Sequence, residues 1–149
     1  MFTRILMPMA LVVLTLVGLT LLWGAGAWAF IDLASLIVVP GLGTLYALLM
    51  IGFKEGFAAF AAPFSAQAEK AELKAATVFF ETLGRSYLAF AFLGGIVSFI
   101  DMLRNLADKS QIGPRLAMTC ISLEYAAILL AFLVIPFRTA IGRRITEMD

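Results

Sequence analysis

Two long apolar runs joined by a short polar link constrain this chain more than any other feature. The stretch from about residue 87 to residue 137 reads YLAFAFLGGIVSFIDMLRNLADKSQIGPRLAMTCISLEYAAILLAFLVIPF. Each run has roughly 18 to 25 residues, which is enough for an α-helix to cross a bilayer. We therefore expect a helical hairpin that spans the membrane twice.

The composition of the whole chain also indicates a membrane protein. Of its 149 residues, 62% are hydrophobic and 14% are charged, whereas about a quarter of the residues in a soluble domain are charged. The net charge of +1 is too small to suggest binding to nucleic acid. Because the chain has no histidine and a single cysteine, Cys120, we expect no catalytic or metal-binding constellation and no cofactor. We predict that the protein is not an enzyme.

Hydropathy predicts an all-α membrane protein with four transmembrane helices, at about residues 5–23, 33–53, 86–103 and 114–137. For the first run, a cleaved signal peptide is the competing interpretation, because Ala27-Trp28-Ala29 resembles a cleavage site. The length of the run favours an uncleaved helix. Trp23 and Trp28 suit the aromatic belt at a membrane interface.

Local signals add detail to helices two and four. Asp32 is a candidate N-cap for helix two. Pro40 and the glycines that follow it predict a kink or a close helix contact, because proline removes a backbone donor and glycine lets backbones approach. The pair Gly113-Pro114 predicts that helix four begins there, with proline in its first turn.

The interval from about residue 54 to residue 85 is Ala-rich and amphipathic, with a break at Pro63-Phe64-Ser65. Glu81 and Arg85 are spaced for an i, i+4 ion pair. We interpret the interval as cytoplasmic extensions of helices two and three, because about thirty residues are too few for a separate core. Residues 1–149 are thus predicted to form one transmembrane domain.

The distribution of basic residues predicts that both termini are cytoplasmic. With this orientation, most basic side chains lie inside, as the positive-inside rule requires. The inner set is Arg4, Lys54, Lys70, Lys74, Arg85, Arg138, Arg143 and Arg144, and the outer set is Arg104, Lys109 and Arg115. At the outer mouth, Asp101 with Arg104 and Asp108 with Lys109 are predicted to be solvated surface pairs.

Glu124 lies near the middle of the second hairpin run, about 15 Å along the helix from Pro114. An ionisable group at that depth is unfavourable in free energy and indicates a functional site. We predict that Glu124, beside Tyr125, lies level with Thr15 and Thr44 and is held by one of these hydroxyls. It is either a second ion site or a structural hydrogen-bond anchor, and the sequence alone leaves both roles open.

One face of helix four is small and polar. Arg115, Thr119, Ser122 and Ala126 follow one another at helical spacing. This face suits a wet pore lining, but helix packing in membranes also uses small residues and hydroxyls. On helix three, Gly94-Gly95 predicts a close helix contact.

Two segments resemble the MotA/TolQ/ExbB proton-channel family. FIDLASLIVV is similar to the opening of helix two in the flagellar-stator A subunits, and the hairpin is similar to the same family over its whole length. The residues that carry the hairpin resemblance are Gly94, Met102-Leu103, Asn105-Leu106, Asp108, Gly113-Pro114, Ala117, Ser122, Tyr125 and Pro136. The chain departs from the family pattern at Gly95 and Leu123, where threonine is common, and its interval before helix three is much shorter than the cytoplasmic domain of flagellar stators.

The resemblance implies a specific assembly. Five subunits would surround two copies of a single-span partner of the MotB/ExbD/TolR type in the bacterial inner membrane. Helices three and four would line the pore, with Thr119, Ser122, Ala126, Gly94 and Gly95 along the ion pathway. The transported ion would be a proton or sodium. The alternative function is a structural or scaffolding multi-pass membrane protein without ion flux.

Overall fold

α-Helices form the fold in the computed structural model, which describes residues 2–23, 31–65 and 67–148, apart from the side chains of residues 2–4 and 23. In this part of the chain, four helices are long and apolar enough to cross a membrane. This confirms the hydropathy prediction of an all-α protein with four such helices. Residues 24–30, which include the predicted interface residue Trp28, lie outside the described residues.

The first two helices begin and end close to their predicted positions. Helix α1 covers Phe2–Trp23 and helix α2 covers Leu33–Ile51. Asp32 is the N-cap of α2, as predicted, because its carboxylate accepts a hydrogen bond of 2.7 Å from the backbone N–H of Ser35. The cap satisfies a backbone donor that the first turn would otherwise leave unpaired.

Two helices widen into π-helical turns near a proline. In α2 the wide turns cover Ile37–Leu42 and contain Pro40. In the last long helix they cover Leu130–Val134, just before Pro136. Proline has no N–H for the helical ladder, and a π-turn is one way in which a helix accommodates the missing bond. The irregularity predicted at Pro40 therefore takes the form of wider turns.

The predicted extension of helix two beyond residue 53 is wrong. Helix α2 ends at Ile51 because Gly52 has a φ of 110°, and the separate helix α3 covers Phe53–Ala61. The predicted break at Pro63 is confirmed, since a turn follows α3.

We expect Gly52→Ala to destabilise the protein by about 1–3 kcal/mol, the usual range for a non-glycine residue held in a sparsely populated backbone region. An added Cβ would also meet the carboxylate of Glu55, but this flexible side chain can turn away, so the expected loss comes from the backbone at residue 52. Thermal unfolding in detergent measures the effect. Gly142→Ala is the matched control, because nothing lies within 4 Å of its added Cβ. Equal melting temperatures for the two variants would contradict the prediction.

Helix α4 covers Lys70–Arg104 and is much longer than the predicted span at 86–103. A capping box between Glu69 and Glu72 starts it, and this local signal lies in the interval predicted as polar extension. Its 35 residues extend for about 52 Å at 1.5 Å per residue, which exceeds the hydrocarbon thickness of a bilayer. The helix therefore continues beyond a bilayer, and the cytoplasmic location of that part stays a prediction.

Helix α5 covers Lys109–Glu147, so the predicted start at Gly113-Pro114 and end near residue 137 are both wrong. The helix begins earlier because Asp108 caps it, accepting hydrogen bonds from the backbone N–H of Ser110 at 3.1 Å and from its hydroxyl at 2.6 Å. Pro114 consequently lies inside α5 and not at its first residue.

The most buried part of the described fold lies where α3, α4 and the end of α5 meet. Phe60 has ring-centroid distances of 5.6 Å to Phe79, 5.2 Å to Phe80 and 5.9 Å to Phe137. Aromatic pairs at such separations add to the stabilisation from apolar burial. The interval between helices two and three thus packs against α5.

Polar contacts also join the helices in the region where α3, α4 and the end of α5 meet. Arg144 of α5 donates hydrogen bonds to the carbonyls of Ala62, Pro63 and Ser65, at 3.0, 3.3 and 2.6 Å. The predicted pair of Glu81 and Arg85 is confirmed at 2.6 Å. The end of α5 therefore lies beside the turn after α3, which brings residues of the predicted inner basic set to one end of the fold.

Candidate functional site

The predicted ion-pathway residues lie along the interface of the hairpin formed by α4 and α5. A Cβ added at Gly94 would lie 3.3 Å from the Ser122 hydroxyl oxygen and 3.6 Å from a methyl carbon of Val38. One added at Gly95 would lie 3.5 Å from the carbonyl oxygen of Thr119. Absence of a side chain at Gly94 thus permits the close helix contact that the sequence predicts.

Ser122 points to the inside of the chain. It is 2% exposed, and its hydroxyl shares a hydrogen bond of 2.9 Å with the hydroxyl of Ser35 on α2. Ala126, one turn further along α5, is 1% exposed. Thr119 is half-buried and donates to the carbonyl of Arg115 at 3.1 Å. Within one chain these are packing contacts, and the pore lining stays a prediction.

A second polar contact joins α2 to α4. Thr44 and Tyr87 share a hydrogen bond of 2.9 Å between their hydroxyls, and Ser86 donates to the carbonyl of Gly43 at 2.8 Å. Hydrogen bonds between helices are common in membrane proteins, where lipid offers the polar groups no partner. Thr44 is thus engaged with Tyr87 of α4.

Glu124 lies in a lateral cleft of about 370 Å³, at a different level from the one predicted. The cleft is bounded by α1, the beginning of α2 and α5, and its other lining residues are Leu16, Thr20, Ile31, Leu36, Tyr125 and Ile128. No lysine or arginine is among these lining residues, and the sequence between α1 and α2 contains none. The carboxyl group therefore lies in a mainly apolar cleft without a basic residue in its lining.

The predicted hydroxyl partners of Glu124 are wrong. Thr15 donates to the carbonyl of Leu11 at 2.8 Å, and Thr44 is engaged with Tyr87. Thr20 lines the cleft in place of Thr15, about 7.5 Å further along α1 at 1.5 Å per residue. The helices are therefore offset along their axes relative to the level that we assumed.

Tyr125 joins the same region to the start of α2. Its hydroxyl oxygen accepts a hydrogen bond of 3.2 Å from the backbone N–H of Asp32. Because Asp32 is also the N-cap of α2, Tyr125 and the Asp32 carboxylate pair two of the backbone donors at this helix end. Tyr125 therefore helps to fix the level of α5 against α2.

At the end of the hairpin that we predicted to be its outer mouth, the predicted pairing of Asp101 with Arg104 is wrong. The Asp101 carboxylate forms an ion pair with Arg115, which closes the hairpin between α4 and α5. Asp108 caps α5 through Ser110 instead of acting as the partner of Lys109. Sequence neighbours do not have to pair, because the turn of a hairpin brings its two helices together.

Ser35 is a site residue that the sequence did not single out. It is buried, with 5% exposure, and it is the partner of Ser122. The available signal was a hydroxyl three residues after the N-cap, in a helix that is otherwise apolar. That signal does not identify Ser122 as the partner, since the two residues are 87 positions apart in the sequence.

The apolar helices and the polar contacts between them are those of a helical multi-pass membrane protein. Comparison with known proteins adds a partial similarity. Over 56 residues, the chain is 41% identical to Motility protein A from Aquifex aeolicus (strain VF5). The similarity covers 38% of this chain and 22% of that protein, so the chain spans only part of this relative. No family model matches the chain.

Proposed function

We propose that the chain is a ring-forming subunit of an ion-driven membrane motor or energy-transducing channel. The observation that carries the proposal is the similarity to Motility protein A, on a chain with four helices of membrane-spanning length and composition among its described residues. In this proposal five copies surround two copies of a single-span MotB/ExbD/TolR-like protein in the bacterial inner membrane. The protein is not an enzyme, and the transported ion is a proton or sodium.

The ion pathway proposed here follows the hairpin interface, with Thr119, Ser122 and Ala126 on α5 and Gly94 and Gly95 on α4. The small and hydroxyl-bearing side chains along this interface support the assignment, because small residues let another helix approach closely and hydroxyl groups form hydrogen bonds inside a membrane protein. For Ser122 to line the path, its hydroxyl must turn away from Ser35. This movement is a specific requirement of the pore assignment.

The proposed topology has both termini in the cytoplasm. The positive-inside rule supports it. The contact of Arg144 with the turn after α3 also supports it, because it brings the basic end of α5 next to the interval that carries Lys54 and Lys70.

A structural or scaffolding membrane protein without ion flux is the second candidate. The burial of Ser122 and Ala126 inside one chain favours it, since packing alone accounts for both residues. The two candidates differ in what they require of Glu124. A scaffold gives this carboxyl group no role in ion transfer, although a carboxyl group in an apolar environment is unfavourable in free energy.

The test is the mass of the native complex extracted in detergent, with its components identified. We expect five copies of the chain with two copies of a single-span protein that carries an aspartate in its membrane span. A monomer or a simple homodimer would overturn the proposal and leave the scaffold. A ring of five copies without a partner would support the ring and overturn the two-copy partner.

A further inference from the structure

A cleft between α1 and the last part of α5 has a lining that changes from apolar to basic along its length. Its volume is about 550 Å³. Pro8 of α1 forms one wall. The other wall belongs to α5 and consists of Ala131, Ile135, Pro136, Thr139, Ala140, Arg143, Arg144 and Glu147. We call this site the α1–α5 cleft.

The α5 wall consists of two rows of side chains at a spacing of four residues, so that successive members of each row are neighbours on the helix surface. In the first row, apolar Ala131 and Ile135 are followed by Thr139, Arg143 and Glu147. Ile135 and Arg143 are about 12 Å apart along the helix axis at 1.5 Å per residue. The cleft thus presents hydrocarbon contacts at one end and polar groups at the other, in the order found in one leaflet of a bilayer.

The polar end of the cleft is positively charged. Arg143 is exposed and forms no ion pair with any residue that the structure describes. Arg144 contributes a second guanidinium, although one of its nitrogens holds the carbonyls of the turn after α3. Glu147 offsets one of these charges. The remaining positive charge and the Thr139 hydroxyl match a phosphate, which guanidinium groups bind through paired hydrogen bonds.

We propose that the α1–α5 cleft binds one anionic phospholipid. Its phosphate contacts Arg143 and Thr139, and one acyl chain lies against Ile135, Ala131 and Pro8. Basic pockets between transmembrane helices near the membrane surface suit such headgroups. Charge complementarity selects an anionic lipid over a zwitterionic one, and the apolar end of the cleft selects a lipid over free phosphate. The inference concerns each chain separately and does not depend on the number of copies in the complex.

Native mass spectrometry of the purified protein, with lipid added to the detergent, tests this inference. The two lipids are phosphatidylglycerol and phosphatidylcholine with the same acyl chains. We expect the unmodified protein to retain more phosphatidylglycerol per chain. For Arg143→Gln we expect about fivefold weaker retention of phosphatidylglycerol, the effect of one basic residue near the surface. Arg143→Lys, which keeps the charge, is expected to retain more of the lipid than Arg143→Gln.

Arg138→Gln is the matched control, because Arg138 is on the same helix but outside the cleft lining, 3.6 Å from Glu81. It is expected to retain phosphatidylglycerol as well as the unmodified protein does. Equal retention of the two lipids by the unmodified protein would overturn the inference. So would equal losses in Arg143→Gln and Arg138→Gln, because they would indicate a general effect of charge.

Discussion

Replacement of Gly43 by alanine is expected to destabilise the protein by about 1–3 kcal/mol, the usual range for an added carbon in a closely packed site. The added Cβ would lie 2.8 Å from a ring carbon of Tyr87 and 3.6 Å from its Cα. The ring cannot move away freely, because Tyr87 is buried and its hydroxyl is bonded to Thr44. Helices α2 and α4 must therefore separate, which also strains the bond from Ser86 to the carbonyl of Gly43.

Thermal unfolding in detergent, followed by intrinsic fluorescence, measures this effect. Gly41→Ala is the matched control, two residues away on the same helix. The nearest atom to its added Cβ is the carbonyl oxygen of Leu36 at 3.8 Å, an ordinary contact. We expect its melting temperature to stay close to that of the unmodified protein. If Gly43→Ala and Gly41→Ala had equal melting temperatures, the prediction that the contact between Gly43 and Tyr87 has no room for a Cβ would be wrong.

Glu124→Gln is expected to leave assembly intact and to abolish ion flow, if the protein is the ion-driven subunit proposed above. An amide keeps nearly the same shape but does not exchange a proton as a carboxyl group does. The alternative role, a hydrogen-bond anchor, loses support from the structure, because Thr15 and Thr44 are bonded elsewhere. The measurement is ion flux into vesicles containing the purified complex, together with the mass of that complex.

The control for Glu124→Gln is Glu55→Gln, the same change at an exposed position of α3. We expect it to leave ion flux unchanged. Loss of the complex in Glu124→Gln would assign Glu124 as an anchor. An intact complex with unchanged flux would reject the ion-site role. Both results require the composition of the complex to be known, so its mass is measured first.

Interactions between residues that are close in the sequence were predicted correctly in several places. The cap at Asp32, the break at Pro63 and the pair of Glu81 with Arg85 involve residues within four positions of each other. The errors at helix ends have local causes as well. Gly52 stops α2 through its positive φ, which sequence permits but does not require. Asp108 and Ser110 start α5 before the Gly-Pro pair that we took as its beginning.

The sequence predicted one of the contacts at the candidate site and missed others. The sequence correctly indicated that Gly94 approaches another helix closely, because glycine in an apolar helix leaves room for a neighbouring helix to come near. It did not identify Ser35 as the partner of Ser122, nor Arg115 as the partner of Asp101. Both contacts join different helices, and each apolar helix offers several faces and levels at which such a contact would satisfy the same polar group.

The sequence by itself determined that this chain forms apolar helices of membrane-crossing length, since about 20 successive apolar residues have few other stable structures. Only the tertiary structure decided how far each helix is shifted along its neighbours. Moving one apolar helix past another in hydrocarbon changes its solvation little, so hydropathy does not fix the level. Particular contacts fix it instead, such as Gly43 against Tyr87 and Tyr125 against the backbone of Asp32. For this reason Glu124 lies beside Thr20 and Leu36 and not beside Thr15 and Thr44.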